Sequence, residues 1–552
     1  MRVLVKASGI EDQQMFFDHN LKAYEILDMI KDKLTYPCYG CKVDNSYRGL
    51  LHNVHRDCTV EFLDIRNQAI WMVYQNSLVL LYLKAVHDVL GKDVLVSINN
   101  SLSKGLFTVI KAKIDQQTVE AIQRQMELLV EKDLPISKQH IKKSAAIELA
   151  KSYKQDETVR LLNSLDYNDD IEIYSLEDEV EIFYNFLVPS TGYLDKFELR
   201  LYRNGVLLRY PHPTNPNVIP YFEDQRMLYD AFSEATKWGQ LMQVNYVTDL
   251  NECIKNKKTL DLYLLQEALH EKKISDIADM ILQRKSRVVL ICGPSSSGKT
   301  TFAKRLCVQL GVNGLKTLYL GTDDYFVERE ETPLDENGEK DFESIRAVDV
   351  KLFISDLQKL LDGQLVDIPS FDFKQGKKVF GQRLTKLEKN QIIVIEGIHS
   401  LNQIMTEGID EKEKFKIYIS PFTPVSIDHH NRLPTTDCRL LRRMVRDYQF
   451  RGWGVSHTLE SWPKVRAGED RNIFPFHSQA DVFFNSNCIY ELAVLKKYAQ
   501  PLLMEVKPSD SQYGEAQRML DYLRYVDEVD DDDSIVNNSI IREFIGGSVL
   551  VK

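Results

Sequence analysis

The chain has 552 residues, 70 Lys+Arg against 81 Asp+Glu, and a formal net charge of −11. With 43% hydrophobic and 27% charged residues, its composition excludes wholesale disorder, and its length suggests about three to five domains. The acidic balance weighs against a protein that coats nucleic acid non-specifically, because neutralising phosphates needs surplus Lys and Arg.

Met1 to Lys6 reads as a short alternating strand rather than a signal peptide. No apolar run approaches the roughly 20 residues that span a bilayer. Eight scattered cysteines are too sparse for a disulfide scaffold. A reduced, soluble, cytoplasmic chain without a membrane partner is the expectation.

Residues 1–64 alternate short strands with one helical stretch, Ala23 to Leu34, and end in the strand-like run Thr59 to Leu63. A region over 65–230 opens with a helix from Leu78 to Leu90. A second helix follows from Gln117 to Lys132, with Ile122, Met126, Leu129 and Val130 at helical spacing. Phe197 to Tyr202 alternates like a strand, and Asn204-Gly205 supplies a hairpin turn. Pro211, Pro213, Pro216 and Pro220 mark a boundary or rigid loop, and a helical linker is expected over 231–284. From 285 to 505 buried strands alternate with helices, the pattern of a parallel α/β sheet. In the segment 506–552, the run Asp527 to Asp533 reads as a solvated acidic linker. The fold expected is multidomain α/β.

The decisive motif is Gly293-Pro294-Ser295-Ser296-Ser297-Gly298-Lys299-Thr300, a G-x(4)-G-K-[ST] loop followed by Thr301. The apolar run Val288 to Cys292 enters it and a helix leaves it, the context a phosphate loop requires. Backbone N–H groups would curl around phosphate oxygens, Lys299 would reach the β/γ-phosphates, and the Thr300 hydroxyl would ligate Mg²⁺. A second buried run, Gln391 to Ile395, ends in Glu396, placing a carboxylate beside the loop to organise that metal. A third ends in Asp323-Asp324, either of which could take a proton from an acceptor hydroxyl; two adjacent acids cannot be ranked by composition. Arg439, Arg442, Arg443 and Arg446 recur at helical spacing, which suits a lid closing over a transferred phosphoryl group or a solvated salt-bridge face.

Together these pieces resemble the uridine kinase / phosphoribulokinase family of P-loop kinases over about residues 285–505. The likeness also rests on Asp323-Asp324-Tyr325-Phe326, Phe371-Asp372-Phe373 and Ala480 to Phe484. It implies ATP as donor, Asp323 as general base, Lys299 and the lid arginines Arg439 and Arg442 as catalytic groups, and Asp324, Glu343, Phe371 and Arg451 around the acceptor. A nucleoside phosphorylated at its 5′-hydroxyl is the acceptor implied. The family's Asp-His-Pro stretch is replaced by Glu343-Ser344-Ile345, and its Tyr-Asp-Phe by Phe371-Asp372-Phe373. Polar pocket groups carry discrimination, so another hydroxyl acceptor, such as a sugar phosphate, is the alternative.

Residues 1–64 also resemble the TGS β-grasp module of threonyl-tRNA synthetases. Residues 65–230 resemble the accessory, editing-type domain of those enzymes, without its H-x(3)-H pair; His87 alone reads as packing or surface. That likeness implies a contact with tRNA or a small ligand that would tune the kinase, and a nucleotide-dependent RNA-associated regulator is a further alternative. No Asn-Lys-x-Asp strand end supports a guanine-reading GTPase. Cys38, Cys41 and Cys58 with His52 and His55 offer donors for zinc but lack two well-spaced pairs. His429-His430 reads as a surface loop. Oligomeric state is open.

Overall fold

The computed structural model describes residues 1–165, 170–335 and 338–551. The N-terminal unit is a five-stranded sheet in the spatial order Gln13–Phe16, Arg2–Ala7, Cys58–Asp64, Cys38–Val43, Ser46–Arg48. Arg2–Ala7 runs antiparallel to Gln13–Phe16 and parallel to Cys58–Asp64. Alternation sends Val3, Val5, Val60 and Phe62 to one face, where Ala23, Ile26 and Leu27 of the helix Ala23–Asp28 cover them. The helix expected to reach Leu34 stops at Asp28. Lys31–Lys33 forms only a 3-10 turn with no buried residue, so nothing offsets the cost of continuing the helix. Cys38 and Cys41 are buried in the sheet, and burial pushes both thiols up to about 12, disfavouring the thiolate a metal needs. Among the described residues the cysteines and histidines of this unit do not form a metal-ligand group.

The middle region is built on the helix Gln68–Leu90, ten residues longer than the expected start at Leu78. The Asn67 side chain accepts from the N–H groups of Ala69 and Ile70 and fixes the true start. The helix is apolar nearly all round, so no amphipathic stripe marks its first turns. By length and hydropathy it could cross a membrane, but 83% of its most apolar window is buried inside the protein. It supports an antiparallel sheet ordered Glu198–Tyr202, Gly205–Arg209, Gly105–Ile110, Val96–Leu102. The hairpin turn sits one residue early: Tyr202 pairs with Gly205, and Arg203 takes the positive φ. His87 is a satisfied packing residue, bonded to Glu179 and to the Val94 carbonyl.

The segment expected to be a linker is a packed helical layer. Helices Arg226–Met242, Val247–Lys255 and Thr259–Arg284 follow one another. Ile274, Ile277, Ala278 and Ile281 of the last are buried against Val289, Phe302 and Phe415. These cover a five-stranded, all-parallel sheet ordered Lys316–Gly321, Gln391–Glu396, Val288–Cys292, Lys414–Ser420, Val482–Asn485. Helices on both faces explain its unbroken apolar strands. Each fully buried Val, Leu or Ile contributes about 1.5–3 kcal/mol. All its strands point the same way, so the loops after Cys292, Gly321 and Glu396 meet at one edge, where such sheets bind ligands.

Two expectations of exposure are revised. The His430 side chain is only 9% exposed and bonds Glu181 of the middle region at 3.0 Å, and His429 accepts from or donates to Tyr246 at 2.7 Å; both close an internal joint that no local pattern signals. The acidic run is solvated at Glu528, Asp530, Asp531 and Asp533, as expected, but it is pinned to the protein rather than free. Asp532 is buried against Lys497 and Tyr498, and Val529 lies in the core. Apolar residues at Val526, Val529 and Ile535 anchor the run between its charges.

Candidate active site

The strand Val288–Cys292 delivers the chain into Gly293, and the loop ends at Gly298 (φ +80°), which starts the helix Lys299–Val312. Lys299 Nζ curls back to the Pro294 carbonyl at 3.1 Å. Ser296 Oγ and Ser297 Oγ are buried without a hydrogen-bond partner among the described residues, unsatisfied polar groups within a loop shaped for phosphate. Glu396 closes the neighbouring strand. Its Oε2 accepts from Thr300 Oγ1 at 3.4 Å and from the Tyr319 hydroxyl at 2.9 Å. The next residue must be glycine, because a Cβ on Gly397 would sit 1.7 Å from Thr322 Oγ1.

Lys316–Gly321 ends in the 3-10 turn Thr322–Tyr325, which carries both candidate bases. The structure separates them. Asp324 is engaged, with Oδ2 2.6 Å from Arg383 Nη1 and Oδ1 accepting from the Phe371 N–H. The Asp323 carboxylate has no hydrogen-bond partner among the described residues and opens to the cleft. Although Asp323 is exposed to solvent, crowding by the protein around it raises its carboxyl above the usual range; Lys299 opposes this, Asp324 adds to it, and Arg451 and Arg446 oppose it. Burial pushes Glu396 up to about 7, with Lys299 pulling down and Asp323 pushing up. Glu343 behaves alike: burial, then Glu469, lifts it to about 7 against Arg443 and Lys299. It is pressed into place by Gly468, where a Cβ would lie 2.4 Å from Glu343 Cβ. Phe371 packs with Phe326 and Phe373, ring centroids 5.1–6.3 Å apart, as an aromatic wall.

The arginines of the helix Thr435–Arg451 divide in a way helical spacing alone does not show. Arg439 and Arg442 are fully buried. Arg439 pairs with Glu469 and donates to the Ser295 carbonyl at 2.9 Å. Arg442 pairs with Glu491 and donates to the Ser486 carbonyl at 2.8 Å and the Ser296 carbonyl at 3.4 Å. In this arrangement both guanidiniums contact the back of the loop, and the closing role expected of them stays a proposal. Arg443, Arg446 and Arg451 face the cleft and share one buried carboxylate, Asp447, at 3.3, 2.9 and 3.3 Å. Arg443 also donates to Ser295 Oγ at 2.9 Å.

Two carboxylates at the loop escaped the sequence reading. Glu469 accepts from the Ser295 N–H at 3.2 Å. Glu543 accepts from the Thr301 N–H at 3.1 Å and from Thr301 Oγ1 at 2.7 Å. Neither belongs to a local motif, and Glu543 lies 242 residues beyond its partner.

Thr300, Glu396 and Asp323 offer only oxygen donors around a phosphate loop, the donor set a hard divalent cation takes. A phosphate loop, a strand-end carboxylate and an unengaged aspartate at the edge of a parallel sheet define a P-loop phosphotransferase. The family model described as Phosphoribulokinase / Uridine kinase family matches residues 288–492. Uridine kinase of Clostridium perfringens (strain SM101 / Type A) is 28% identical over 189 residues, covering 34% of this chain and 78% of that protein. Uridine kinase of Halalkalibacterium halodurans is 27% identical over 192 residues, covering 35% and 78%. Among solved structures, D-glycerate 3-kinase from Cryptococcus neoformans aligns with 15% identity and a TM-score of 0.20, over 50% of this chain and 89% of that one. The C-terminal half carries a uridine kinase / phosphoribulokinase-like P-loop kinase domain. Such a domain implies ATP as donor, typically with Mg²⁺, and an alcohol as acceptor.

Proposed function

We propose that this chain is an ATP- and Mg²⁺-dependent nucleoside kinase that phosphorylates the 5′-hydroxyl of a ribonucleoside. The observation that carries this reading is the Asp323 carboxylate, unpartnered at a strand end with its charge felt by Lys299 and Glu396. Lys299 and the loop N–H groups hold the β- and γ-phosphates. Thr300 and Glu396 hold Mg²⁺, which when bound spreads the negative charge of the phosphates. Asp323 orients the acceptor hydroxyl and accepts its proton, a task its raised carboxyl suits. Arg443, Arg446 and Arg451 balance charge on the moving phosphoryl group, with Arg439 and Arg442 keeping the loop in shape behind it. Phe371 and Glu343 line the acceptor side, with Asp324 fixing Phe371 through its backbone.

A second reading, a sugar phosphate as acceptor, is favoured by three guanidiniums sharing the single carboxylate of Asp447, which leaves positive charge for an anionic acceptor. In the N-terminal half, the mixed sheet crossed by one helix supports the TGS-like reading of residues 1–64, and the antiparallel sheet on a long helix supports the accessory-domain reading of 65–230. The eight unpaired cysteines are in keeping with a reducing, cytoplasmic setting.

The test is ATP consumption with Mg²⁺ over a panel of nucleosides and sugar phosphates, with Lys299→Ala as control. Turnover of one ribonucleoside, lost in the control, supports the first reading; turnover of phosphorylated sugars alone replaces it with the second.

A further inference from the structure

After the acidic run the chain turns back onto the phosphate loop. Ile540, Ile541 and Phe544 are fully buried. Ile540 Cγ2 lies 2.5 Å from where a Cβ on Gly298 would be, so the loop glycine packs directly on this segment. The Arg442 guanidinium lies 5.0 Å from the centre of the Phe544 ring, and Lys304 Nζ donates to the Leu550 carbonyl. These contacts seat Glu543 on the first turn of the helix Lys299–Val312, with both the N–H and the hydroxyl of Thr301 bonded to one carboxylate oxygen.

That position is chemically specific. Loop and first-turn N–H groups are the donors a phosphate loop offers a nucleotide. Lys299 serves the β/γ end and Thr300 the metal, so Thr301, one residue farther along the helix, faces the phosphate nearest the nucleoside. A carboxylate there satisfies the same donors with the same sign of charge. Meanwhile Ser296 Oγ and Ser297 Oγ, deeper in the loop, are buried and unpartnered among the described residues. Glu469 takes the Ser295 N–H and Glu543 takes the N–H and hydroxyl of Thr301, so a carboxylate stands at each end of the loop, and the Glu543 carboxylate is the one on the first-turn donors of the helix.

We propose that Glu543 is a built-in competitor for the nucleotide's α-phosphate, and that ATP must displace it from Thr301 to seat fully. The inference rests on the donor-site reading above and adds to it a residue that sets donor affinity. Two anions cannot share one pair of donors without repulsion, so nucleotide affinity carries the cost of releasing Glu543. Inorganic pyrophosphate, which has no nucleoside end, does not need the Thr301 donors and so does not meet the cost of releasing Glu543.

Calorimetric titration of the full-length protein with Mg-ATP and with Mg-pyrophosphate tests this. Glu543→Gln keeps the shape but removes the charge; it should bind ATP about tenfold more tightly and leave pyrophosphate affinity unchanged within about twofold. In the unaltered protein, ATP should speed hydrogen exchange over residues 539–550. Unchanged or weaker ATP binding in Glu543→Gln, or slowed exchange of the segment, would make Glu543 part of a clamp over the nucleotide and overturn the proposal while leaving the kinase reading intact. Absence of ATP binding in both proteins, with unfolding transitions preserved, removes the donor site itself and the proposal with it.

Discussion

Lys299, Asp323, Glu396 and Glu343 form one electrostatic unit, and each carboxyl in it is raised in the folded protein. If Asp323 takes the acceptor proton, Asp323→Asn should lower kcat by about 10²- to 10⁴-fold and leave ATP affinity nearly unchanged; equal turnover would remove the assignment. Glu343 has the clearer pH consequence. Its folded carboxyl near 7 lies above the unfolded value of 4.5, so between those values the native state binds the proton more strongly. Stability from this group is therefore highest below about pH 4.5 and declines as pH rises to about 7. Denaturant unfolding of Glu343→Gln should lack part of that decline, on the order of 1 kcal/mol; an identical pH profile would show that the carboxyl titrates normally. The loop motif made Lys299 and Thr300 legible in sequence, because a phosphate loop is a local backbone device. The split between Asp323 and Asp324 was not legible, since it is made by Arg383, far along the chain.

The helix Thr435–Arg451 shows the same limit one level up. Spacing of three and four residues placed its arginines on a helix, as found, but could not say which face meets protein and which meets the cleft. That depends on Glu469 and Glu491, carried by other helices. The two groups of arginines should respond differently. Arg442→Ala leaves Glu491 buried without its cation and should cost about 3–5 kcal/mol of stability. Arg446→Ala leaves Asp447 paired with Arg443 and Arg451 and should cost less stability than Arg442→Ala, yet slow turnover by about 10²-fold or more. Thermal unfolding and steady-state kinetics on the pair check the division, and a reversed pattern would assign the closing role to Arg442. Periodicity likewise identified the helix Gln68–Leu90 but missed its first ten residues, where the cap at Asn67 rather than an amphipathic stripe defines the start.

At the scale of the molecule, the parallel sheet was readable from its unbroken apolar strands, while the path of residues 506–551 was not, because its contacts are with distant segments. Lys42 Nζ of the first sheet donates to the Ser511 carbonyl at 3.1 Å, and Arg518 bonds Asp437 at the start of the arginine helix at 2.7 and 2.9 Å. Farther on lies Glu543. A chain ended at Glu505 should lose cooperative unfolding, because it uncovers the surfaces packed on Ile540, Ile541 and Phe544 and leaves buried Asp437 unpaired; a sharp thermal transition in that variant would show the kinase region to be self-sufficient. This arrangement also has a consequence in time. Synthesis runs from the N-terminus, so residues 288–505 emerge from the ribosome before Glu543 exists. During that interval Thr301 is unblocked, and cellular ATP can settle on the nascent loop and favour its folded form. The nucleotide would then serve first as a folding ligand, before the chain grows long enough to contest its place.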